Sequence, residues 1–477
     1  MPDEERKSEM KHQGKFAILA MMAAMSVAGA SAADFTLDFG VTKGRVKRLN
    51  GICNTARINN SMHAKSDELP LFKALELPCS RYHDAALVNP GYALVDISRI
   101  FPLMHLDADD PRNYVFKPTD DYILRTLETG AEVEFRFGES IEHSKNRYRV
   151  NMPDDVEKVA AVCLHIVRHY NAGWANGFKL NIRRWSIWEE PDLDQILYVK
   201  DGDQFGAYAR LYRAIATAVK REFPDVLVGG PEDCCSPGFR RDLMKMCRDE
   251  KVPLDFIMFD SYTRDVEQLF RQICDTRKMM DGFGFKDARL GVSEWHYGPT
   301  DFQDLNNNPK KARRTRDDLT GIDAAAYAAA VLSRMQDAPV DDLFYYEATS
   351  PTWGLISGTT KFPVYYVFVA FAKLAAKGEA VRVDAPSKSG TGRYLLATRQ
   401  GDVGYALVTS FKRGDDCRIA VKGAGVRPKS VKVIDSELRL EETADWKADE
   451  RSGELVLRAP VSCPSAVWLV EWDLKAK

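Results

Sequence analysis

The sequence predicts an α/β fold, a (β/α)8 TIM barrel followed by a C-terminal β-sandwich. Eight short apolar or β-branched segments lie within residues 48–377, and a helical pattern follows each of them, which is the count of a closed barrel. Strand-like segments without helical periodicity fill residues 378–477, which predicts the sandwich. A doubly wound open sheet is the alternative. The count of eight argues against it, and no Gly-x-Gly-x-x-Gly or P-loop motif follows any strand.

The composition is that of a globular protein. Hydrophobic residues make up 45% and charged residues 29% of the 477 residues, which excludes disorder as the main state and a collagen-like or coiled-coil fibre. The 67 Lys and Arg nearly balance the 69 Asp and Glu, so the formal net charge is −2. A nucleic-acid binder would carry a basic domain and a membrane-surface protein a polybasic segment, so neither partner is expected.

The N-terminus has the pattern of a secretory signal peptide over residues 1–32. Two lysines precede the apolar run 16–28, and the small residues Ala-Ser-Ala follow at 30–32. The run is shorter than the about 20 residues that a membrane span needs, and no later segment is long and apolar enough. A buried N-terminal helix is the alternative. We expect an exported protein, periplasmic or secreted, whose mature chain begins near Ala33 and has no integral membrane span.

The barrel is predicted over residues 48–377. Its strands are expected at 48–53, 78–83, 131–137, 184–189, 226–230, 254–260, 288–294 and 342–347. The helix after the third strand has the clearest start, since Pro153 and two aspartates suit a first turn and Val156, Val159 and Cys163 begin one apolar face. The other helical patterns lie near 66–76, 119–129, 203–222, 238–249, 265–280, 319–337 and 364–376.

The sandwich is predicted over residues 378–477. Gly, Asp and Lys turns separate strand-like segments there, such as those that begin at Tyr394, Val403 and Ala466. The segment 33–47 precedes the barrel and alternates apolar with polar residues. We expect it to be a strand that joins the sandwich.

The cysteines and acidic clusters do not indicate a metal centre. The nine cysteines are odd in number and follow no metal-site spacing, and a chain of this size needs no disulfide framework. Cys163 lies on an apolar helix face, which favours a core position, and the adjacent Cys234 and Cys235 have no assigned role. The acidic run at 107–110 lacks the spacing of an EF-hand loop. We expect no cofactor and no metal.

Two glutamates mark candidate chemistry at the ends of the fourth and seventh predicted strands. Glu190 lies in the motif Trp-Glu-Glu-Pro, and Glu294 lies in the motif Ser-Glu-Trp-His. The active site of a barrel lies at the carboxyl ends of its strands. Alternation along a strand predicts that Leu290, Val292 and Glu294 share one inward face. The two carboxylates are therefore expected to meet above the barrel.

Such a pair suits hydrolysis of a glycosidic bond. One carboxylate attacks the anomeric carbon, and the other protonates the leaving oxygen and later activates water. The charge of the nucleophile raises the pKa of its partner, which keeps that partner protonated near neutral pH. In an enzyme that retains the anomeric configuration, the two carboxyl groups lie about 5–5.5 Å apart.

The two motifs resemble those of the clan of retaining glycoside hydrolases that carry an acid/base and a nucleophile on strands four and seven. Within that clan the sequence resembles glycoside hydrolase family 39, which includes β-xylosidases and α-L-iduronidases. Further similar segments lie at residues 79–84, 255–262 and 354–366. The resemblance covers residues 34–475, and it implies that Glu190 is the acid/base and Glu294 the nucleophile.

The resemblance and the aromatic residues near strand ends give a candidate set of substrate-binding side chains: Arg81, His83, Glu189, Asp260, Tyr262, Trp295 and Trp353. Two of them depart from the family. Glu189 replaces an Asn that binds the sugar 2-hydroxyl as donor and acceptor, whereas an ionised glutamate only accepts. Asp260 replaces a His. Glu189 and Glu190 both face the mouth only if the strand bulges there.

The expected function is an exported retaining glycoside hydrolase that uses two glutamates in a double displacement and acts from chain ends on plant or host glycans. Its partner would be an oligosaccharide or glycoside substrate. A catalytically altered barrel that binds glycans without cleaving them is the alternative, favoured by Glu189 and Asp260. A barrel lyase or isomerase would need a metal cluster or a cofactor lysine, which the sequence does not show.

Overall fold

The structure is a computed structural model that describes residues 33–57, 67–83, 94–200, 202–234, 236–385, 392–461 and 463–475. The signal peptide predicted at residues 1–32 lies outside the described residues, as do Asp84 and Cys235. Among the described helices, none combines the length and the apolar character that a membrane crossing requires.

Eight parallel strands close into a barrel in chain order, which confirms the predicted fold. The last strand pairs with the first, with Gly51 opposite Phe344 and Ile52 opposite Tyr345. After β1 (Phe35–Arg45), the barrel strands are β2 (Gly51–Cys53), β3 (Cys79–Arg81), β4 (Glu132–Phe137), β5 (Arg184–Ile187), β6 (Leu227–Asp233), β7 (Phe256–Thr263), β8 (Arg289–Tyr297) and β9 (Asp342–Tyr345).

Helices surround the barrel, and side-chain caps fix where several of them begin. Asp155 accepts a hydrogen bond from the backbone N–H of Lys158, and Asp203 does the same for Gly206, so each caps a helix N-terminus. The helices are α1 (Leu69–Lys73), α2 (Ile97–Ile100), α3 (Lys117–Glu128), α4 (Val156–Asn171), α5 (Gln204–Glu222), α6 (Pro237–Glu250), α7 (Val266–Phe283), α8 (Asp304–Asn307), α9 (Pro309–Leu319), α10 (Ile322–Arg334) and α11 (Pro363–Ala375).

The remaining strands are the short hairpin β10 (Ile356–Ser357) and β11 (Thr360–Lys361), then β12 (Val381–Asp384), β13 (Arg393–Gln400), β14 (Val403–Ser410), β15 (Cys417–Lys422), β16 (Ser430–Ile434), β17 (Arg439–Glu442), β18 (Trp446–Asp449), β19 (Glu454–Leu457) and β20 (Ala466–Asp473). β1 and β12 to β20 form one ten-stranded sheet, in the order β17-β16-β20-β14-β13-β12-β1-β15-β19-β18. β1 is parallel to β15 and antiparallel to β12.

The ten-stranded sheet curls around its own apolar core, as expected for a sandwich-like domain. Val431 on β16 lies near one end of the strand order, and Leu455 on β19 lies near the other. Both belong to the same buried cluster as Trp468. The sheet also docks onto the barrel, because Thr398 donates a hydrogen bond to the carbonyl of Leu374 on α11 at 3.0 Å. The sheet domain and the barrel therefore pack directly against each other.

The predicted inward face of β8 is wrong, although Glu294 lies at the barrel interior as expected. Leu290 and Val292 belong to the large apolar core between strands and helices, whereas a Cβ on Gly291 would lie 3.0 Å from the Met258 side chain inside the barrel. The pairing of β8 with β7 shifts between Val292 and Glu294. This bulge inserts one extra residue, which moves Glu294 to the interior face.

Candidate active site

The mouth of the barrel holds ionisable side chains around one arginine. Arg81 ends β3 and is fully buried. Its Nη1 lies 3.1 Å from Oε1 of Glu294, and its Nε lies 3.1 Å from Oε2 of Glu232 on β6. Its Nη2 also contacts Glu232 and lies 3.7 Å from Oε2 of Glu189. The rigid fork of the guanidinium suits this binding of several carboxylates at once.

Glu294 is surrounded by donors on both of its carboxylate oxygens. Nε2 of His83 lies 2.8 Å from Oε1, on the same oxygen as Arg81. The Tyr262 hydroxyl donates to Oε2 at 2.7 Å. Burial opposes ionisation of this carboxyl, but His83, Arg81 and Tyr262 together outweigh it and hold the pKa of Glu294 at about 2. Glu294 is therefore an ionised carboxylate at neutral pH.

Glu190 has the opposite protonation state. Its backbone N–H donates to the carbonyl of Glu232 at 2.9 Å, which fixes the turn that carries it. Burial raises the pKa of its carboxyl to about 8, with further contributions from the negative charges of Glu294 and Glu189. At neutral pH Glu190 is therefore mainly a neutral acid that can donate a proton.

Glu189 also points into the site, and the backbone explains how. β5 ends at Ile187, and Trp188 has a φ of 66°, while Glu190 has a φ of 36°. These left-handed conformations end the alternation of the strand, so consecutive glutamates turn to the same side. The sequence predicted that both glutamates face inward only if the strand bulges. Instead, the strand ends before them, at Ile187.

The Glu189 carboxyl is fully buried beside two arginines and a histidine. Nε of Arg136 lies 3.2 Å from its Oε2, and Nε2 of His83 lies 3.1 Å from its Oε1. Burial raises the pKa of Glu189 to about 7, although His83, Arg136 and Arg81 lower it. Its role in binding a sugar hydroxyl stays a prediction. The contacts that it makes are with the arginines and the histidine.

Asp260, the second departure from the family pattern, lies beside the two glutamates. It is buried on β7 and accepts a hydrogen bond from the Ser293 hydroxyl at 2.7 Å. Burial raises its pKa well above the usual range, and the charges of Glu294 and Glu190 raise it further. Asp260 thus holds its proton more firmly than an ordinary carboxyl, and a protonated carboxyl can donate a hydrogen bond as well as accept one.

Comparison with known proteins assigns the chain to a family. The sequence profile of glycosyl hydrolases family 39 matches residues 104–353. The chain belongs to glycosyl hydrolases family 39. A β-xylosidase from Geobacillus stearothermophilus is 27% identical over 212 residues, which cover 41% of this chain and 39% of that protein. A β-xylosidase from Caldicellulosiruptor saccharolyticus is 25% identical over 119 residues, 24% of this chain and 23% of that protein. Each match thus covers well under half of the relative.

Solved structures of similar fold align with most of this family 39 chain. A glucosidase from Croceicoccus marinus aligns with a TM-score of 0.73 and 19% identity, covering 92% of this chain and 99% of that one. A monomeric β-xylosidase from Caulobacter crescentus CB15 aligns with a TM-score of 0.67 and 15% identity, with the same coverage. At these identities the likeness establishes the arrangement of barrel and β-domain.

An aromatic cluster borders the Glu294 side of the site in this family 39 chain. The ring of Trp353 lies 5.7 Å from that of Tyr262 and 6.1 Å from that of Phe302, with an angle of 27° between the last two rings. Phe302 is 51% exposed and was not anticipated, since it lies in the connection after β8 rather than in a strand motif. Trp353, in contrast, was a predicted substrate-binding residue, and it lies in this cluster.

Trp295 is the predicted binding residue that the structure places elsewhere. It follows Glu294 directly, so its side chain points to the opposite face of β8. There it is fully buried, with its ring 5.1 Å from Tyr345 and 6.4 Å from Tyr327 of α10. The prediction that Trp295 binds substrate is therefore wrong, and the residue packs between the barrel and its helices.

Arg136, Glu232 and Asp96 belong to the site, although no motif pointed to them. Nη2 of Arg136 lies 3.2 Å from Oδ1 of Asp96, which ties the connection before α2 to Glu189 through one guanidinium. A signal for Arg136 was present in the sequence, because Glu134 and Arg136 alternate with phenylalanines. In a parallel strand covered on both faces, such charges can only face the barrel interior.

Three of these side chains have the geometry of metal ligands. Within the described residues, ligand atoms of His83, Glu189 and Glu294 lie within 4.8 Å of one another. Arg81 and Arg136 already bring positive charge to the same carboxylates. An added cation would be repelled by both arginines, so the chemistry of this donor set favours an ion-paired network.

Proposed function

We propose that this family 39 chain is a retaining glycosidase in which Glu294 is the nucleophile and Glu190 the acid/base. The observation that carries the proposal is the opposite protonation of two buried carboxyls at one barrel mouth. Donors from His83, Arg81 and Tyr262 keep Glu294 ionised, with a pKa of about 2. Burial and the neighbouring charges keep Glu190 protonated up to a pKa of about 8. A nucleophile and an acid need these two states at the same pH.

In the first step, an oxygen of Glu294 bonds to the anomeric carbon while the glycosidic C–O bond breaks and Glu190 gives its proton to the leaving oxygen. Forming the ester removes the negative charge of Glu294, which is one of the causes of the raised pKa of Glu190. Glu190 is then a base. It takes a proton from water, whose oxygen displaces Glu294 and restores the original anomeric configuration.

We propose β-xylosides as the substrate class and removal of single sugars from chain ends as the mode of action. The support is that the relatives from Geobacillus stearothermophilus and Caldicellulosiruptor saccharolyticus are β-xylosidases. A β-glucoside is the competing substrate, because one solved structure of similar fold is a glucosidase. Products from a xylo-oligosaccharide distinguish the modes, since an exo-acting enzyme yields single xylose units from the start.

A panel of aryl glycosides tests the function. The expected result is fastest release of the aryl group from the β-xyloside, compared with the glucoside, galactoside, arabinoside and iduronide. Glu294→Gln should abolish this release without changing the melting temperature by more than a few degrees. Absence of hydrolysis across the panel, with sugar binding retained, would contradict the proposal and favour a glycan-binding barrel.

We also propose that the protein is exported, on the basis of the pattern at residues 1–32. Expression with a C-terminal tag, followed by fractionation and N-terminal sequencing, tests this directly. The expected mature N-terminus is near Ala33, in the periplasm or medium. A cytosolic protein with an intact N-terminus would contradict export while leaving the glycosidase proposal standing.

A further inference from the structure

A thiol lies against the acid/base at the end of β6. Cys234 directly follows β6, and its backbone N–H donates to Oδ1 of Asp192 at 3.0 Å. The backbone N–H of Glu190 donates to the carbonyl of Glu232 at 2.9 Å. These two hydrogen bonds clamp the turn that carries Glu190 onto the end of β6. They hold Cys234 beside Glu190 independently of either side chain.

The side chains complete this contact. The Cys234 thiol hydrogen-bonds the carboxyl of Glu190, and Cys234 is half-buried whereas Glu190 is only 9% exposed. A thiol can donate one weak hydrogen bond, and an ionised carboxylate can only accept. The contact therefore has its full strength when Glu190 has lost its proton.

We propose that Cys234 is a positioning residue that orients the Glu190 carboxyl and, by donating its S–H, stabilises the ionised form that activates water. This inference rests on the proposed role of Glu190 as acid/base. It assigns a function to one member of the adjacent cysteine pair, for which the sequence alone gave none.

The charges around Glu190 show why such a donor matters. Glu294 from β8, Glu189 after β5 and Asp260 from β7 are the acidic groups whose charges couple to it, while His83 after β3 acts in the opposite direction. Burial and the acidic neighbours raise the pKa of Glu190, and the hydrogen bond from Cys234 lowers it. The thiol thus keeps the pKa of Glu190 low enough for the carboxyl to ionise when the enzyme needs a base.

Matched variants test the proposal in the full chain. In Cys234→Ala the alkaline limb of the pH profile of kcat/KM for an aryl β-xyloside should move up by about half a pH unit, the size expected for one hydrogen bond from a weak donor such as a thiol. Cys234→Ser keeps a donor and should restore the wild-type limb. Cys274→Ala, at another half-buried cysteine on α7, should leave the profile unchanged and controls for loss of a thiol in general.

An alkaline limb that stays in place in Cys234→Ala, or a serine variant that shifts as far as the alanine variant, would overturn the inference. A second readout separates this failure from failure of the glycosidase proposal. With glutamate labelled by 13C at Cδ, the Glu190 carboxyl can be titrated by NMR and assigned through Glu190→Gln. If the wild-type protein hydrolyses nothing, an upward shift of this titration in Cys234→Ala still supports the contact, and an unmoved titration refutes it.

Discussion

Nε2 of His83 lies 2.8 Å from Oε1 of Glu294 and thereby covers the carboxylate oxygen that Arg81 also contacts. The other oxygen, Oε2, receives the Tyr262 hydroxyl at 2.7 Å. The ionised state of the proposed nucleophile thus depends on three donors, two of which bind one oxygen. Each donor can be removed separately, and the effects on rate and on pH dependence should differ.

Tyr262→Phe removes the donor on Oε2 and leaves the ring in its aromatic cluster. We expect kcat/KM to fall about 10- to 100-fold, the range for losing a hydrogen bond to a charged group. The acid limb of the pH profile should move to higher pH, because the hydrogen bond is one of the causes of the low pKa of Glu294. Tyr212→Phe is the matched control, since that hydroxyl donates to the carbonyl of Pro253 away from the site. Equal effects of the two variants would contradict the role of Tyr262.

Glu189→Gln tests whether Glu189 sets the protonation of its neighbour. The negative charge of Glu189 raises the pKa of Glu190, so the neutral variant should move the alkaline limb of kcat/KM to lower pH. The isosteric amide keeps a hydrogen-bonding group toward His83 and Arg136. An alkaline limb that does not move would show that the two carboxyls are uncoupled. Glu189→Asn, which restores the residue of the family pattern, should move the limb in the same direction.

Stability should depend on pH through the same carboxyls. The folded-state pKa of Glu190 is about 8, above its ordinary value of 4.5, so the folded protein binds a proton that the unfolded chain releases. Between these values each pH unit costs about 1.4 kcal/mol for one such group. The contribution of Glu190 to stability is therefore fully present below about pH 4.5 and is lost as the pH rises toward 8.

Melting temperatures at pH 5 and pH 8 check this prediction. Glu190→Gln should melt higher than the wild-type protein at pH 8. The difference should shrink at pH 5, which lies close to the unfolded-state pKa of 4.5, because little proton release on unfolding remains there. A difference that is the same at both pH values would mean that the variant acts through packing rather than through protonation.

Phe302→Ala tests the aromatic cluster as a sugar-binding surface. Because Phe302 is 51% exposed, its removal should leave the fold intact, and a lost stacking contact should raise KM about 3- to 10-fold with little change in kcat. Leu103→Ala, at a side chain that is also 51% exposed, is the control. An unchanged KM in Phe302→Ala would place the substrate elsewhere on the barrel mouth.

Hydrophobic periodicity was sufficient to predict the barrel, because each strand and helix buries apolar side chains that recur at a regular spacing in the sequence. The motifs were sufficient to place Glu190 and Glu294 at the mouth of the barrel. The orientation of single side chains was not accessible in this way. Glu294 reaches the interior through a register shift between Val292 and Glu294, and Glu189 does so through the left-handed backbone of Trp188. Neither departure from strand geometry has a pattern in the sequence, since neither involves glycine or proline.

For Trp295, unlike Glu294 and Glu189, simple alternation along the strand gives the observed orientation. An aromatic residue beside a candidate nucleophile is chemically suited to sugar stacking, yet alternation places it behind the strand, against Tyr345 and Tyr327. Arg136 shows the converse, because its partners Glu189 and Asp96 come from distant parts of the chain. Charge pairs of this kind follow from the closure of the barrel and become visible only once the strands are placed.

The most direct test of the account is to trap the glycosyl-enzyme intermediate. An aryl 2-deoxy-2-fluoro-β-xyloside, whose good leaving group favours the first step and whose fluorine slows the second, should inactivate the wild-type protein with the mass increase of one fluorosugar. Peptide mapping should then place that sugar on Glu294. A label on a different residue, or steady hydrolysis without any label and with inversion at the anomeric carbon, would contradict the assignment of Glu294 as the nucleophile of a retaining glycosidase.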